Sequence, residues 1–246
     1  NSPTLMNAGN ELGMLSGCFV LPIEDSMDSI FKTLYNTAMI HKAGGGTGFD
    51  FSSLRPKGSI VGTTQGVSSG PISFLHAYDA ATETIKQGGK RRGANMSVMR
   101  CDHPSIEDFL VCKQVEGGIA NFNISVAITD KFMRAIRDDK DWDLVWGGKT
   151  YKTVRALTLW NKIVDGAWNN GEPGVLFIDT INKKSTIDEE IFATNPCGEL
   201  PAPPNISCNL GSINLVKHMV FKEDGSAEIN LDKLDETTTT AVRFLD

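Results

Sequence analysis

The residues best placed to do chemistry are Asn195-Pro196-Cys197-Gly198-Glu199. A thiol stands two positions after an amide and two before a carboxylate, with prolines at 196, 201, 203 and 204. Proline fixes φ and removes a backbone donor, so this run is neither helix interior nor central strand. It must be a stiff loop, one that lifts the thiol away from regular structure and holds a base and a hydrogen-bonding amide beside it. The same residues spell a type I turn, with Asn first, Pro second and Gly fourth. From these five positions alone, reactive loop and plain turn stand side by side.

Four other cysteines accompany Cys197. Cys208 follows beyond the prolines, and Cys18 lies far earlier on a predicted strand; a closed sheet can make first and later strands neighbours. Unpaired cysteines also serve as small buried hydrophobes, and that reading of Cys18 and Cys208 stays open. Cys101 and Cys112 have no base nearby and read as structural. No metal site is expected, because there is no C-x-x-C pair and His103 beside Cys101 is too little to assemble four ligands.

A second chemical segment is Lys86-Gln87-Gly88-Gly89-Lys90-Arg91-Arg92-Gly93. Three cations between a glycine pair and a further glycine, after a helix and before a strand, suit a phosphate. They equally suit a solvated helix C-terminus, where positive charge meets the macrodipole favourably. A Walker loop is excluded by the missing Gly-Lys-Ser/Thr order. Gly44-Gly45-Gly46-Thr47-Gly48 lacks the full dinucleotide fingerprint and follows a helix rather than a strand.

The elements that position these residues alternate. A strand is expected over 16–21, a helix over 26–42, a loop-rich stretch over 43–70 and a helix from Pro71 to Gly88-Gly89. Then come a strand over 94–100, a helix over 104–115, a strand near 123–128, a helix over 129–137 and a strand near 142–146. A helix over 154–168, a strand over 174–178 and a final helix from Leu231 follow. This βα alternation predicts an α/β architecture with largely parallel strands, barrel or open sheet.

The 246 residues carry a formal charge of -6, which argues against nucleic acid as a general partner. No apolar run approaches the roughly 18 to 20 residues needed to cross a bilayer, so no membrane partner is expected. No export signal is read at the start, and five cysteines in such a chain suggest reduced thiols in the cytoplasm. Both ends look cut, the first in an Asn-Ser-Pro-Thr loop and the last inside a helix.

The chain resembles the catalytic subunit of ribonucleotide reductase, within it the adenosylcobalamin-dependent class. The matching stretches are SPTLMNAG (2–9), SGCFVLPIEDSMDSI (16–30), KAGGGTGFDFSSLRPKGS (42–59), KQGGKRRGA (86–94), NPCGELP (195–201) and SCNLGSINL (207–215). They stand in the family's order and cover nearly the whole chain. The resemblance implies that residues 1–246 are the first half of a ten-stranded α/β barrel, truncated at both ends, with a central finger loop carrying the radical cysteine.

The resemblance also implies roles. Cys197 would become a thiyl radical that removes the 3′ hydrogen of the substrate ribose, Glu199 would take the 3′ hydroxyl proton, and Asn195 would hydrogen-bond the sugar. Cys18 and Cys208 would be the redox dithiol, reset by an external dithiol reductant such as thioredoxin. Ser2, Thr4, Gly17 and Gly44 would complete the ribonucleotide contacts. Asp25, Ser26, Met27 and Arg55 would bind a deoxynucleoside triphosphate (dNTP) specificity effector, and Lys86, Gln87 and Arg91 would pass its identity to the substrate base. Adenosylcobalamin would be the cofactor, the product a 2′-deoxyribonucleotide for DNA synthesis, and the assembly admits a homodimer. Competing readings are the class that receives its radical from a partner protein, and a non-catalytic nucleotide-binding module.

Overall fold

The computed structural model describes residues 2–11, 13–62, 65–85, 92–114 and 118–246. The chain divides into two units, Asn1–Gly17 with Cys208–Asp246, and Cys18–Ser207. The smaller unit opens with helix α1 (Ser2–Asn7).

The larger unit carries strand β1 (Cys18–Val20), helix α2 (Met27–Lys42), β2 (Gly46–Asp50), α3 (Pro71–Thr84) and β3 (Asn95–Arg100). It continues with α4 (Ile106–Val111), β4 (Phe122–Ile128), α5 (Asp130–Arg137), β5 (Asp141–Trp146), β6 (Lys149–Arg155) and α6 (Ala156–Asn170). Then come β7 (Gly174–Phe177), α7 (Ile178–Lys184), β8 (Ala193–Thr194), β9 (Pro201–Ala202) and β10 (Ile206–Cys208), whose last residue belongs to the smaller unit. That unit adds the antiparallel pair β11 (Met219–Phe221) and β12 (Ala227–Ile229) and ends with α8 (Leu231–Leu245).

Strands β1, β2, β3, β4 and β7 pair in that order, all parallel, as the βα alternation predicts. Among the described residues of the larger unit, two antiparallel pairs stand beside this parallel sheet: the β5–β6 hairpin and the short β8–β9 ladder. Strand β2 also lies inside the stretch read as loop. Its glycines at 46 and 48 disguised it, and their reason is given below.

Helix α2 begins and ends on local signals. The Ser26 hydroxyl accepts from Ser29 N–H at 3.1 Å and caps the first turn. At the other end Gly44 adopts φ +91°, and Gly45 N–H reaches back to the Ile40 carbonyl at 3.0 Å. That is the left-handed stop which favours glycine. Helix α3 starts on Pro71, whose missing N–H costs nothing at a first helical position.

The parallel sheet is buried on both faces, as such sheets require. On one face Phe49, Phe51, Tyr78 and Phe122 pack edge-on and tilted, with centroids 5.3–6.3 Å apart, joined by Leu75, Met99, Phe109 and Ile124. On the other face Val20, Met96, Val98, Ala127 and Leu176 meet Ala193 and Ala202. Successive residues of β3 alternate between the two layers.

Candidate functional site

The Asn195–Gly198 turn forms the tip of the β8–β9 ladder, in which Ala193 opposes Ala202 and Thr194 opposes Pro201. Gly198 N–H donates to the Asn195 carbonyl at 3.1 Å and Asn195 N–H to the Leu200 carbonyl at 3.3 Å. The Asn195 Oδ1 accepts from Leu200 N–H at 2.9 Å and from the Thr194 hydroxyl at 3.2 Å. Turn and stiff loop are therefore one object. Asn195 is fully buried, its Nδ2 without a hydrogen-bond partner among the described residues, while Cys197 and Glu199 are exposed.

The loop rests on β2. A Cβ built on Gly48 would lie 1.7 Å from the Thr194 carbonyl oxygen, and one on Gly46 would lie 2.6 Å from Pro196 Cγ. Only glycine lets the two backbones come this close. Asn123 of β4 fixes the tip further, its Nδ2 donating to the Pro196 carbonyl at 2.7 Å. Sequence reasoning missed Asn123 and both strand glycines. The alternate glycines of Gly46-Thr47-Gly48 were the available signal, a strand with one bare face.

Cys18 opens β1 directly opposite Gly46, the residue on which Pro196 sits. It shares its strand face with Val20, which packs in the layer containing Ala193 and Ala202, so the buried Cys18 thiol lies on the loop side of the sheet. Cys18, Asn195, Cys197 and Glu199 thus gather in the larger unit. Cys208, Gly17, Ser2 and Thr4 belong to the smaller one. There Gly17 N–H donates to the Cys208 carbonyl at 3.1 Å, the half-buried Cys208 thiol donates to the Asn209 carbonyl at 3.4 Å, and the Thr4 hydroxyl donates to the Leu15 carbonyl at 2.7 Å. Gly17 is buried and Ser2 exposed. Burial pushes the Cys101 and Cys112 thiols up to about 12, so neither supplies a thiolate near neutral pH.

Asp25, Ser26, Met27 and Arg55 line one cavity of about 580 Å³ at the start of α2, with Val61, Val67, Ser68 and Phe74 as walls the sequence did not disclose. Arg55 Nε donates to Asp25 Oδ2 at 2.7 Å, and Arg55 N–H donates to Asp25 Oδ1 at 3.0 Å. Gly44 is buried at the far end of the same helix. Lys86, Gln87 and Arg91 lie outside the described residues. Their described neighbour Arg92 is held by Glu83 at 3.0 Å and by the Asn121 side chain at 2.9 Å.

A second cavity of about 400 Å³ opens where β1, β2 and β3 end, lined by Val20, Glu24, Asp50, Arg100 and Phe192 among others. Burial raises Asp50 to about 6, against the Ser52 N–H that donates to it. A carboxyl that binds its proton more tightly when folded adds stability at low pH, and that stability drains away as pH rises through about 6. Replacing Asp50→Asn should therefore make the variant gain about 3 kcal/mol relative to the parent between about pH 3.5 and 7. Urea titrations across that range measure it, and a flat difference refutes it.

Among the described residues no helix is long and apolar enough to cross a membrane. The family described as "Ribonucleotide reductase, barrel domain" matches residues 16–246. The chain is 53% identical over its whole length to a protein of Thermoplasma acidophilum named vitamin B12-dependent ribonucleoside-diphosphate reductase, covering 32% of that protein. It is 48% identical over its whole length to one of the same name from Mycobacterium tuberculosis, covering 36%. It is 36% identical over 94% of its length to a vitamin B12-dependent ribonucleotide reductase of Streptomyces coelicolor, covering 27%. The chain thus spans about a third of the length of these relatives.

Proposed function

This chain belongs to the ribonucleotide reductase barrel family, and from that premise we propose that it forms the first half of a ten-stranded α/β barrel which reduces ribonucleotides to 2′-deoxyribonucleotides. The β8–β9 loop is the finger at the barrel's centre. One observation carries the reading: exposed Cys197 stands on a stapled turn between buried Asn195 and exposed Glu199, and its neighbour Pro196 sits on Gly46, the strand residue opposite Cys18.

In this reading Cys197, as a thiyl radical, takes the 3′ hydrogen of the ribose. Glu199, two residues on, receives the 3′ hydroxyl proton, and Asn195 hydrogen-bonds the sugar through the Nδ2 left without a partner among the described residues. The 2′ hydroxyl leaves as water, and at the end of the cycle Cys197 gives the hydrogen back to C3′ and becomes the radical again. Cys18 and Cys208 supply the two electrons and two protons this requires and end as a disulfide, a pairing that rests on the family resemblance of SGCFVL and SCNLGSINL. An external dithiol such as thioredoxin then exchanges with that disulfide. A cytoplasmic setting keeps such thiols reduced between turnovers.

An exposed thiol on a rigid turn fits a radical source that approaches from outside the loop. When bound, adenosylcobalamin would supply the radical chemistry through its cobalt–carbon bond, and Cys197 would be the residue that receives the radical. Ser2, Thr4, Gly17 and Gly44 position the ribonucleotide, taken as a diphosphate from the names of the two relatives at 53% and 48% identity. Asp25, Ser26, Met27 and Arg55 hold the dNTP effector, whose phosphates draw Arg55 from Asp25; Lys86, Gln87 and Arg91 relay its identity. Met27, Phe31, Tyr35 and Met39 leave an exposed apolar stripe at four-residue spacing along α2, which supports a homodimer.

The test is to express the complete reading frame and follow ribonucleotide reduction with and without adenosylcobalamin. Turnover that requires the cofactor is expected. Turnover that ignores it overturns the cofactor assignment and favours a partner-supplied radical, and no turnover in either case favours a binding module.

A further inference from the structure

Helix α2 joins the cavity at its start, where Ile30 lines the wall, to the Gly44 turn at its end. Both ends are fastened by one buried hydrogen-bond chain. His41, in the last turn, meets the Thr47 hydroxyl of β2 at 3.2 Å. Thr47 Oγ1 donates to Asn95 Oδ1 of β3 at 2.7 Å, and Asn95 Nδ2 donates to Thr82 Oγ1 of α3 at 2.9 Å. Thr82 donates to the Tyr78 carbonyl at 2.8 Å, and the Tyr78 hydroxyl donates to the Ile30 carbonyl at 2.5 Å, back on α2.

The direction of this chain is fixed by what each group can do. An amide oxygen only accepts, so the single Thr47 proton goes to Asn95 and Thr47 must accept from His41. His41 therefore donates through Nε2. Reversing the Asn95 amide would set oxygen against the Asn121 carbonyl, to which Nδ2 now donates at 3.2 Å. His41, Thr47, Tyr78, Thr82 and Asn95 are each at most 2% exposed, so water does not substitute for a lost link.

We propose that Thr47, Asn95 and Thr82 are positioning residues that couple the cavity at the start of α2 to the Gly44 turn, so that an occupant bearing on Ile30 alters how Gly44 meets the ribonucleotide. The route is separate from the Lys86–Arg91 segment. It rests on the assignment of the cavity to the dNTP and of Gly44 to the substrate. Coupling of this kind needs two sites biasing one connected element, and α2 with its buried chain is that element.

Thr47→Val keeps the side-chain shape and removes the hydroxyl that both accepts and donates. In the complete enzyme, the ratio of ribonucleotide KM without and with saturating dNTP should fall from a typical allosteric value of about 5- to 150-fold to within about twofold of unity. Directly measured dNTP affinity and kcat at saturating ribonucleotide should stay near the parent values, and Thr47→Ser should restore the ratio. Thr82→Val, on the other side of Asn95, gives the same readout if Thr47→Val does not fold. A parent enzyme whose KM ignores dNTP overturns the assignment of the cavity itself. A parent that responds, with valine variants that respond equally, overturns only the coupling.

Discussion

Gly48→Ala is expected to cost the protein both stability and turnover. The added Cβ meets the Thr194 carbonyl oxygen at 1.7 Å, the Thr194 carbonyl carbon at 2.8 Å and the Asn195 Cα at 3.3 Å, all of them backbone atoms that no rotamer change can remove. Strand β2 is paired on both sides, so it cannot retreat. The loop must lift instead, carrying Asn195 and Cys197 with it. Overpacking of this kind costs about 1–3 kcal/mol or more, which for a chain of this size lowers Tm by several degrees. Turnover falls further, because misplacing a reacting atom by about 1 Å costs roughly 10²-fold. Gly46→Ala, against the Pro196 ring at 2.6 Å, should be intermediate, and Gly62→Ala, with no atom of the described residues within 4 Å, near neutral. Melting curves and assays of the complete enzyme rank the three. A Gly48→Ala enzyme with parental Tm and turnover would mean that the loop does not need this seat.

Cys197→Ser should abolish nucleotide reduction while leaving the fold intact. The hydroxyl has nearly the thiol's size, and the position is exposed, so stability should change by less than about 1 kcal/mol. The hydrogen on oxygen is held far more tightly than on sulfur, so reversible exchange with a ribose C–H fails. A loss of at least roughly 10⁴-fold follows, on the scale seen when a unique reacting group is removed. Cys112→Ala is the control: that thiol is packed and pushed up to about 12, and its replacement should leave turnover standing. Turnover by Cys197→Ser at anything near the parental rate removes the radical assignment, whatever the fate of the barrel.

Much of the fold was legible because the helices announce themselves. The Ser26 cap, the Gly44 stop and Pro71 at a first helical position are local signals, and local signals survive reading without neighbours. Strand β2 was not legible for the opposite reason. Its glycines answer to a loop nearly 150 residues away, and nothing in Gly-Thr-Gly-Phe-Asp itself says what will lie on it. Strand β6 was missed because Lys149–Arg155 is exposed almost throughout and has no apolar alternation to betray it. At the candidate site, the turn over 195–198 was readable from proline and spacing, whereas Asn123 was not, since its partner is a backbone carbonyl brought near only by folding.

The β5–β6 hairpin turns at Gly147-Gly148, where both residues take positive φ and a side chain on either would meet nothing within 4 Å. Its strands stand outside the parallel sheet, anchored by Trp142 to the Cys101 carbonyl and by Lys152 to Glu107. Foreign sequence spliced between those two glycines, whether an affinity epitope or a fluorophore attachment point, would hang into solvent without disturbing the strands beneath the thiol. The molecule thus comes with its own handle.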